Sequence, residues 1–189
     1  MNYFIADLHH GHTNCLSFDN RPFNTIEEHD QALVYNHNNT VGIDDDVYIM
    51  GDISWHNATK TIEIFKQLNG RLHLIKGNHD GKLLKNRELQ SLFVEICDYK
   101  ELYLEDGKIL VLSHYPIPCF KNHYYGSYHL YGHVHTGFEH NMMLNVKRQM
   151  EELYTVPCNM YNVGCMIDYM NYTPRTLNEI LEANKTNQK

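Results

Sequence analysis

Three short apolar runs divide the first half of the chain, at residues 2–6, 47–50 and 72–75. Each run has the length of a buried strand and stops abruptly at polar residues or glycine. Two helical patterns separate the runs, one that ends near residue 38 and one that covers about 58–69. Strands and helices that alternate at this spacing predict a parallel sheet with right-handed crossovers.

The second half of the chain has a different pattern. Residues 100–104 and 108–112 flank a Glu-Asp-Gly turn, which predicts a β-hairpin. Short strand-like pieces follow at 128–131 and 159–163, and 177–183 is predicted to form a closing helix. The expected fold class is therefore α/β in the first half and mixed, or α+β, over the whole chain.

The length of the chain, 189 residues, favours a single domain that spans 1–189. Within it, the Asn- and Met-rich stretch 141–150 fits either a loop or a short helix. The sequence contains no internal repeat and no linker-like tract that would divide this domain.

The net charge of −7 at pH 7 argues against a broad basic surface, so neither long nucleic acid nor an anionic membrane is expected as a partner. No apolar run approaches the roughly 20 residues that a membrane helix needs. The 5 cysteines are odd in number and contain no C-x-x-C pair, which is typical of reduced thiols. Because the first residues also lack the pattern of a signal peptide, a cytoplasmic protein is expected.

Polar clusters directly follow the strand patterns along the chain. They are, in order, Asp7-x-His9, Gly51-Asp52, Gly77-Asn78-His79-Asp80, Ser113-His114 and Gly132-His133-Val134-His135. Each cluster alone would fit an ordinary turn. Because parallel sheets bind ligands beyond the carboxyl ends of their strands, the ordered set instead predicts a metal site there. Carboxylate, amide and imidazole ligands without sulfur suit Mn, Fe, Zn or similar ions, and a carboxylate such as Asp52 can bridge two of them.

The order of these clusters resembles that of the calcineurin-like metallophosphoesterases. Further motifs extend the similarity to the small, single-domain bacterial and phage members, namely Asp7-x-His9-x-Gly11-His12-x-Asn14, Arg21-Pro22-Phe23 and Asn162-Val163-Gly164. One position departs from the pattern, because Ser113 precedes His114 where many members have glycine. The resemblance implies two packed β-sheets flanked by helices, the four-layer sandwich of that family.

Carried over by position, the resemblance implies two divalent metal ions that share Asp52. The first ion would be held by Asp7, His9, Asp52 and His135. The second ion would be held by Asp52, Asn78, His114 and His133. Manganese is the expected metal, with iron, zinc and nickel as alternatives, since all of them accept nitrogen and oxygen ligands.

The resemblance also implies the chemistry. A hydroxide that bridges the two metals would attack the phosphorus of a small phosphomonoester or phosphodiester. His79 would be the general acid that protonates the leaving oxygen, and Asp80 would be the carboxylate that orients His79. His12 and Arg21 are candidates for substrate binding, although each equally fits a structural role in its loop.

Two other functions stay open at the level of the sequence. A non-catalytic protein could use the same ligands for structure or for binding a partner, but it would not need the proton donor His79. A nuclease would require a basic groove. The local cluster Lys82, Lys85 and Arg87 could contribute to one, and it equally fits a solvated helix face.

Overall fold

Nine strands and six helices form the part of the chain that this computed structural model describes, residues 1–185. The strands are β1 (Asn2–Ile5), β2 (Asp46–Ile49), β3 (Arg71–Ile75), β4 (Phe93–Cys97), β5 (Tyr99–Tyr103), β6 (Ile109–Ser113), β7 (Tyr128–Tyr131), β8 (Met160–Asn162) and β9 (Arg175–Thr176). The helices are α1 (Cys15–Phe18), α2 (Ile26–Thr40), α3 (Ala58–Phe65), α4 (Arg87–Gln90), α5 (Phe138–Glu152) and α6 (Leu177–Lys185). Residues 186–189 of the expected domain lie outside the described part.

The strands form two mixed sheets. The first has the order β4-β3-β2-β1-β9, in which β1 to β4 are parallel and β9 is antiparallel to β1. The second has the order β5-β6-β7-β8, in which β5 and β6 form the hairpin and β6 to β8 are parallel. The predicted parallel sheet and hairpin are confirmed. The sequence pattern does not predict strands β4 and β9. Glu95 interrupts the apolar run of β4, and β9 has only 2 residues.

Helices flank the two sheets and differ from the prediction mainly at their ends. Helix α3 stops at Phe65, earlier than its apolar pattern predicts. Helix α5 is 15 residues long and includes the stretch 141–150, so the helical alternative is correct there and the helix is longer than expected. None of its residues is buried, and the stretch therefore lacks the clear apolar face of a packed helix. No helix in the described residues combines the length and apolar character needed to cross a membrane.

One apolar core joins the two sheets. Its fully buried side chains come from the inner strands of both sheets and include Phe4, Ile49, Leu74, Leu110, Leu112 and Leu130. Burial of each such side chain contributes roughly 1.5–3 kcal/mol to the hydrophobic stabilisation. The shared core fixes the position of the β1–β3 strand ends relative to those of β6 and β7.

The end of β1 connects the two sheets directly. Ala6 N–H donates to the Val163 carbonyl at 2.8 Å, and Cys165 N–H donates to the Ala6 carbonyl at 2.8 Å. On the other side, Met50 N–H donates to the Ile5 carbonyl at 2.8 Å. The residues that follow β1 therefore lie between the end of β2 and the segment after β8.

A buried histidine in β7 predicts a stability that depends on pH. The His129 ring donates from Nδ1 to the Val111 carbonyl at 2.9 Å, and its Nε2 accepts from Ile117 N–H at 3.0 Å, which requires the neutral ring. Burial lowers the pKa of His129 to about 4. The pKa of His129 is thus lower in the folded protein than in the unfolded chain. The contribution of the neutral ring to the free energy of unfolding is therefore complete above about pH 6.5. It is lost as the pH falls towards 4, which lowers the free energy of unfolding by about 3 kcal/mol.

Urea unfolding of the metal-free protein at several pH values measures this effect. A His129→Gln variant is expected to lose that part of the pH dependence of the free energy of unfolding. An unchanged pH dependence in this variant would contradict the assignment.

Candidate metal centre

The strand ends bring the seven predicted metal ligands together in two adjoining clusters. The first cluster consists of Asp7, His9 and His135, whose ligand atoms all lie within 4.8 Å of one another. The Nε2 atoms of His9 and His135 are 3.1 Å apart. Asp7 and His9 follow β1 and His135 follows β7, so both sheets contribute to this cluster.

The second cluster consists of Asn78, His114 and His133. Asn78 Oδ1 lies 2.9 Å from His114 Nε2 and 3.0 Å from His133 Nδ1. The two ring nitrogens are 3.2 Å apart. An amide oxygen and two imidazole nitrogens therefore converge on one small volume, as in a metal site with nitrogen and oxygen donors.

Asp52 lies between the two clusters. Its Oδ2 is 3.8 Å from His9 Nε2 of the first cluster and 3.7 Å from His114 Nε2 of the second. Asp52, Asp7 and His114 also form a group whose ligand atoms lie within 4.8 Å of one another. Asp52 is thus a carboxylate that lies close to both clusters, and Asp7 of the first cluster also comes close to His114 of the second.

Hydrogen bonds on the far side of two rings fix which nitrogen faces the clusters. His114 Nδ1 donates to the Met50 carbonyl at 2.8 Å, and His135 Nδ1 donates to Asp19 Oδ2 at 2.8 Å. In the neutral rings, each Nε2 is therefore unprotonated and points into its cluster. This arrangement is usual for metal-ligating histidines, whose second nitrogen is held by a carbonyl or carboxylate.

Burial gives the first cluster unusual acid–base properties. Burial raises the pKa of Asp7, and burial with the neighbouring cationic groups lowers the pKa of His9 well below its ordinary value. Burial acts to lower the pKa of His135, but the hydrogen bond that its ring donates to Asp19 and the negative charges of Asp7 and Asp19 together raise the pKa. A divalent cation would offset the cost of burying the carboxylates and would bind the neutral His9 ring. The residues of both clusters therefore fit a metal ion by donor type, direction and burial.

Most of the clustered residues have a left-handed backbone. The φ angles are 57° for Asp7, 51° for His9, 54° for Asp52, 71° for His133 and 45° for His135. Such conformations cost of order 1–3 kcal/mol each for residues with a side chain, and they concentrate at functional sites. The sequence pattern of the ligands does not reveal this strain.

Gly77 allows the two ligand loops to approach each other closely, and it provides a steric test. A Cβ atom at Gly77 would lie 2.2 Å from Asp52 Oδ1. Gly77→Ala is therefore expected to displace the shared carboxylate and weaken Mn²⁺ binding by roughly 10–100-fold, the range seen when ligand positioning is lost. Calorimetric titration with Mn²⁺ measures the change.

Gly81→Ala is the matched control, because a Cβ atom at Gly81 meets nothing within 4 Å. This variant is expected to bind Mn²⁺ like the unmodified protein. Equal Mn²⁺ affinities for the unmodified protein and both variants would contradict the view that the close approach of the two loops at Gly77 positions Asp52.

Asp80 makes different contacts from those expected, while His79 lies beside the metal centre. The His79 ring is exposed and packs on Trp55 at 4.3 Å between centroids, while its backbone N–H donates to Asp52 Oδ1 at 3.0 Å. The buried Asp80 carboxylate instead accepts backbone N–H groups of Asp52, Ile53 and Gly77 at 3.0, 3.0 and 2.7 Å. The expected orientation of His79 by Asp80 is thus corrected: Asp80 turns back beneath the loops and holds the segments that carry Asp52 and Asn78.

The two candidate substrate residues lie beside the first cluster. Arg21 is 4 % exposed, and its guanidinium binds Asp19 at 2.9 Å and the Asp7 carbonyl at 3.1 Å. This geometry corresponds to the structural role of Arg21 in its loop, because the guanidinium donates its hydrogen bonds to acceptors of the protein itself. The half-buried His12 stacks on Trp55 with centroids 4.1 Å apart, and its Nδ1 lies 3.4 Å from His9 Nδ1, a position that suits either of its two roles.

Sequence reasoning missed two residues of the centre. Asp19 accepts hydrogen bonds from both Arg21 and His135, so it connects the braced loop to the first cluster. Trp55 contacts the rings of His9, His12 and His79, with 4.6 Å between the centroids of Trp55 and His9. Asp19 belongs to none of the motifs that indicate the site. Trp55 is the only tryptophan of the chain and follows Asp52 closely, and this position is the signal that could have identified it as part of the centre.

The chain is similar to two proteins over different lengths. It is 30% identical over 183 residues to the uncharacterized protein MJ1445 of Methanocaldococcus jannaschii, a match that covers 95% of this chain and 89% of that protein. It is 38% identical over 93 residues to the gene 66 protein of Mycobacterium phage L5, which covers 48% of this chain and 44% of that protein. No family model matches the chain.

Two solved structures are also similar. The protein of unknown function AQ665 from Aquifex aeolicus has a TM-score of 0.70 and 26% identity, over 97% of this chain and 98% of that chain. A nuclease of Pseudomonas putida, MPE, is a more distant neighbour with a TM-score of 0.41 and 21% identity, over 71% of this chain and 60% of that chain. The similarity to MJ1445 extends over nearly the whole chain, and this protein therefore belongs to the same family as MJ1445 of Methanocaldococcus jannaschii.

Proposed function

We propose that this protein is a dinuclear metal-dependent phosphoesterase that hydrolyses a small phosphomonoester or phosphodiester. The observation that carries the proposal is the position of Asp52, whose Oδ2 lies 3.8 Å from His9 Nε2 and 3.7 Å from His114 Nε2. One carboxylate thus serves two clusters of nitrogen and oxygen donors. The ordered motifs, which resemble those of the calcineurin-like metallophosphoesterases with their four-layer sandwich, support the same function.

Each proposed ion has four side-chain ligands. Asp7, His9, Asp52 and His135 would hold one, and Asp52, Asn78, His114 and His133 would hold the other. Two divalent ions, with manganese preferred over iron, zinc or nickel, would attract the phosphate and lower the pKa of a bound water. Opposite two carboxylates, two dications leave the centre positive, so an acidic chain can bind an anionic substrate.

The chain itself supplies orientation and a proton. The Asp80 carboxylate accepts hydrogen bonds from the backbone N–H groups of Asp52 and Gly77, and these bonds hold the ligand loops in place before substrate arrives. His79 is exposed, its ring packs on Trp55 and lies 6.5 Å between centroids from His9, and its backbone N–H donates to Asp52 Oδ1, so this residue is held beside the metal centre. We assign to His79 the donation of a proton to the leaving oxygen, because an imidazole can release a proton near neutral pH.

Hydrolysis of two chromogenic substrates tests this function. With Mn²⁺ added, the protein is expected to release 4-nitrophenolate from 4-nitrophenyl phosphate, from bis(4-nitrophenyl) phosphate, or from both. Chelation should stop the reaction, and renewed addition of Mn²⁺ should restore it. A protein that binds Mn²⁺ but hydrolyses neither substrate would be a non-catalytic metal-binding protein, and the proposed function would be wrong.

A further inference from the structure

A cleft of about 730 Å³ opens beside the metal centre, on the side where His79 lies. Its polar and aromatic lining includes Trp55, Asn57, His79, Lys82, Lys85 and Asn86, and none of the described residues that line it is a carboxylate. The volume is within the range of small-molecule sites in proteins, roughly 300–1,000 Å³. The cleft is therefore large enough for a group of nucleotide size.

The two lysines of this cleft differ from the other lysines of the described residues. Neither the Lys82 nor the Lys85 side chain has an ion-pair, hydrogen-bond or ring partner within residues 1–185. The remaining described lysines each contact a carboxylate or, in one case, a tyrosine ring: Lys60, Lys66, Lys76, Lys100, Lys108, Lys121, Lys147 and Lys185. In a chain of net charge −7, two unpaired ammonium groups thus lie in one carboxylate-free cleft.

The position of His79 determines which part of a substrate would enter the cleft. A general acid must reach the leaving oxygen, so the leaving group lies on the side of His79. His79 lines the cleft together with Lys82 and Lys85. The leaving group would therefore meet two ammonium groups, which bind phosphate as compact point charges.

We propose that the substrate is a phosphate ester whose leaving group carries a second phosphate, and that Lys82 and Lys85 bind this second phosphate. The inference rests on the proposed function. In the reaction, a bond forms between a water oxygen and phosphorus, and the bond from phosphorus to the leaving oxygen breaks. His79 gives its proton to that oxygen, and the proton lost by the water passes to solvent.

Pairs of substrates that differ by one phosphate test the proposal. The nucleotide pair consists of the dinucleotide TpT and whichever of pTpT and TpTp has its terminal phosphate on the leaving nucleoside. The other pair compares 1,3-propanediol monophosphate with the bisphosphate and shows whether the second phosphate suffices without a nucleoside. We expect kcat/KM to be about tenfold higher for the phosphorylated member of at least one pair, equivalent to one good charge contact.

The Lys82→Gln/Lys85→Gln double variant is expected to lose this preference while it hydrolyses bis(4-nitrophenyl) phosphate at the unmodified rate. It should also bind thymidine 5′-monophosphate more weakly in calorimetry. Lys185→Gln, which removes an exposed lysine that pairs with Glu182, is the matched control and should keep the preference.

Two outcomes would overturn the proposal while the proposed function stands. They are equal kcat/KM values within both pairs for the unmodified protein, and a preference that persists in the double variant. If bis(4-nitrophenyl) phosphate and 4-nitrophenyl phosphate are not hydrolysed at all, the proposed function fails and this inference fails with it.

Discussion

Asp52→Asn is expected to lower metal-dependent hydrolysis by about 10³-fold, or about 4 kcal/mol of transition-state stabilisation. The substitution keeps the size of the side chain but removes the charge of a carboxylate that lies close to both clusters. An amide also offers only one oxygen, and its nitrogen is a hydrogen-bond donor that does not bind a metal ion. Initial rates with bis(4-nitrophenyl) phosphate at saturating Mn²⁺ measure the loss.

Asp44→Asn provides the control, because Asp44 is an exposed carboxylate in the loop before β2 and its replacement alters the net charge equally. This variant should retain full activity. Calorimetry should show weaker Mn²⁺ binding for Asp52→Asn and normal binding for Asp44→Asn. Full activity of Asp52→Asn would be incompatible with a shared bridging carboxylate.

His79→Ala has the second largest expected effect, and its size should depend on the leaving group. For alkyl phosphate esters, whose leaving oxygen must be protonated, we expect kcat to fall by about 10²–10⁴-fold. For 4-nitrophenyl esters the loss should be small, because 4-nitrophenolate leaves without a proton. Parallel measurement of kcat on both kinds of ester gives the ratio that identifies a general acid.

Two measurements separate this role from a structural one. Mn²⁺ affinity should be unchanged in His79→Ala, since the His79 side chain is not among the metal ligands. His123→Ala, which removes a histidine in the turn His123–Tyr125, should show no dependence on the leaving group. Equal losses by His79→Ala on alkyl and 4-nitrophenyl esters would refute the general-acid role.

The sequence was sufficient to predict the part of the fold that positions the site. Buried parallel strands appear as continuous apolar runs, and their ends were visible as Asp7, Asp52 and Asn78. The sequence pattern predicted strand β6 of the hairpin equally well. It therefore also predicted that His114 follows a strand end. The order of the ligands therefore followed from local patterns, and the structure brings them together as the topology requires.

Features that depend on long-range contacts could not be predicted from the sequence. Nothing local indicates that Asp80 would turn back to the Asp52 loop, or that Asp19 would hold the ring of His135. The left-handed backbone of the ligand residues is likewise not visible in the sequence, because Asp and His adopt this conformation more readily than most residues but only at particular positions. Helix α5 lacked a buried face, so its apolar pattern carried little information.

Anomalous diffraction from crystals grown with Mn²⁺ would locate the metal ions themselves. We expect two manganese peaks, one bound by Asp7, His9 and His135 and one bound by Asn78, His114 and His133, with Asp52 ligating both. A single peak that Asp52 does not contact, or no peak at these clusters, would contradict this expectation.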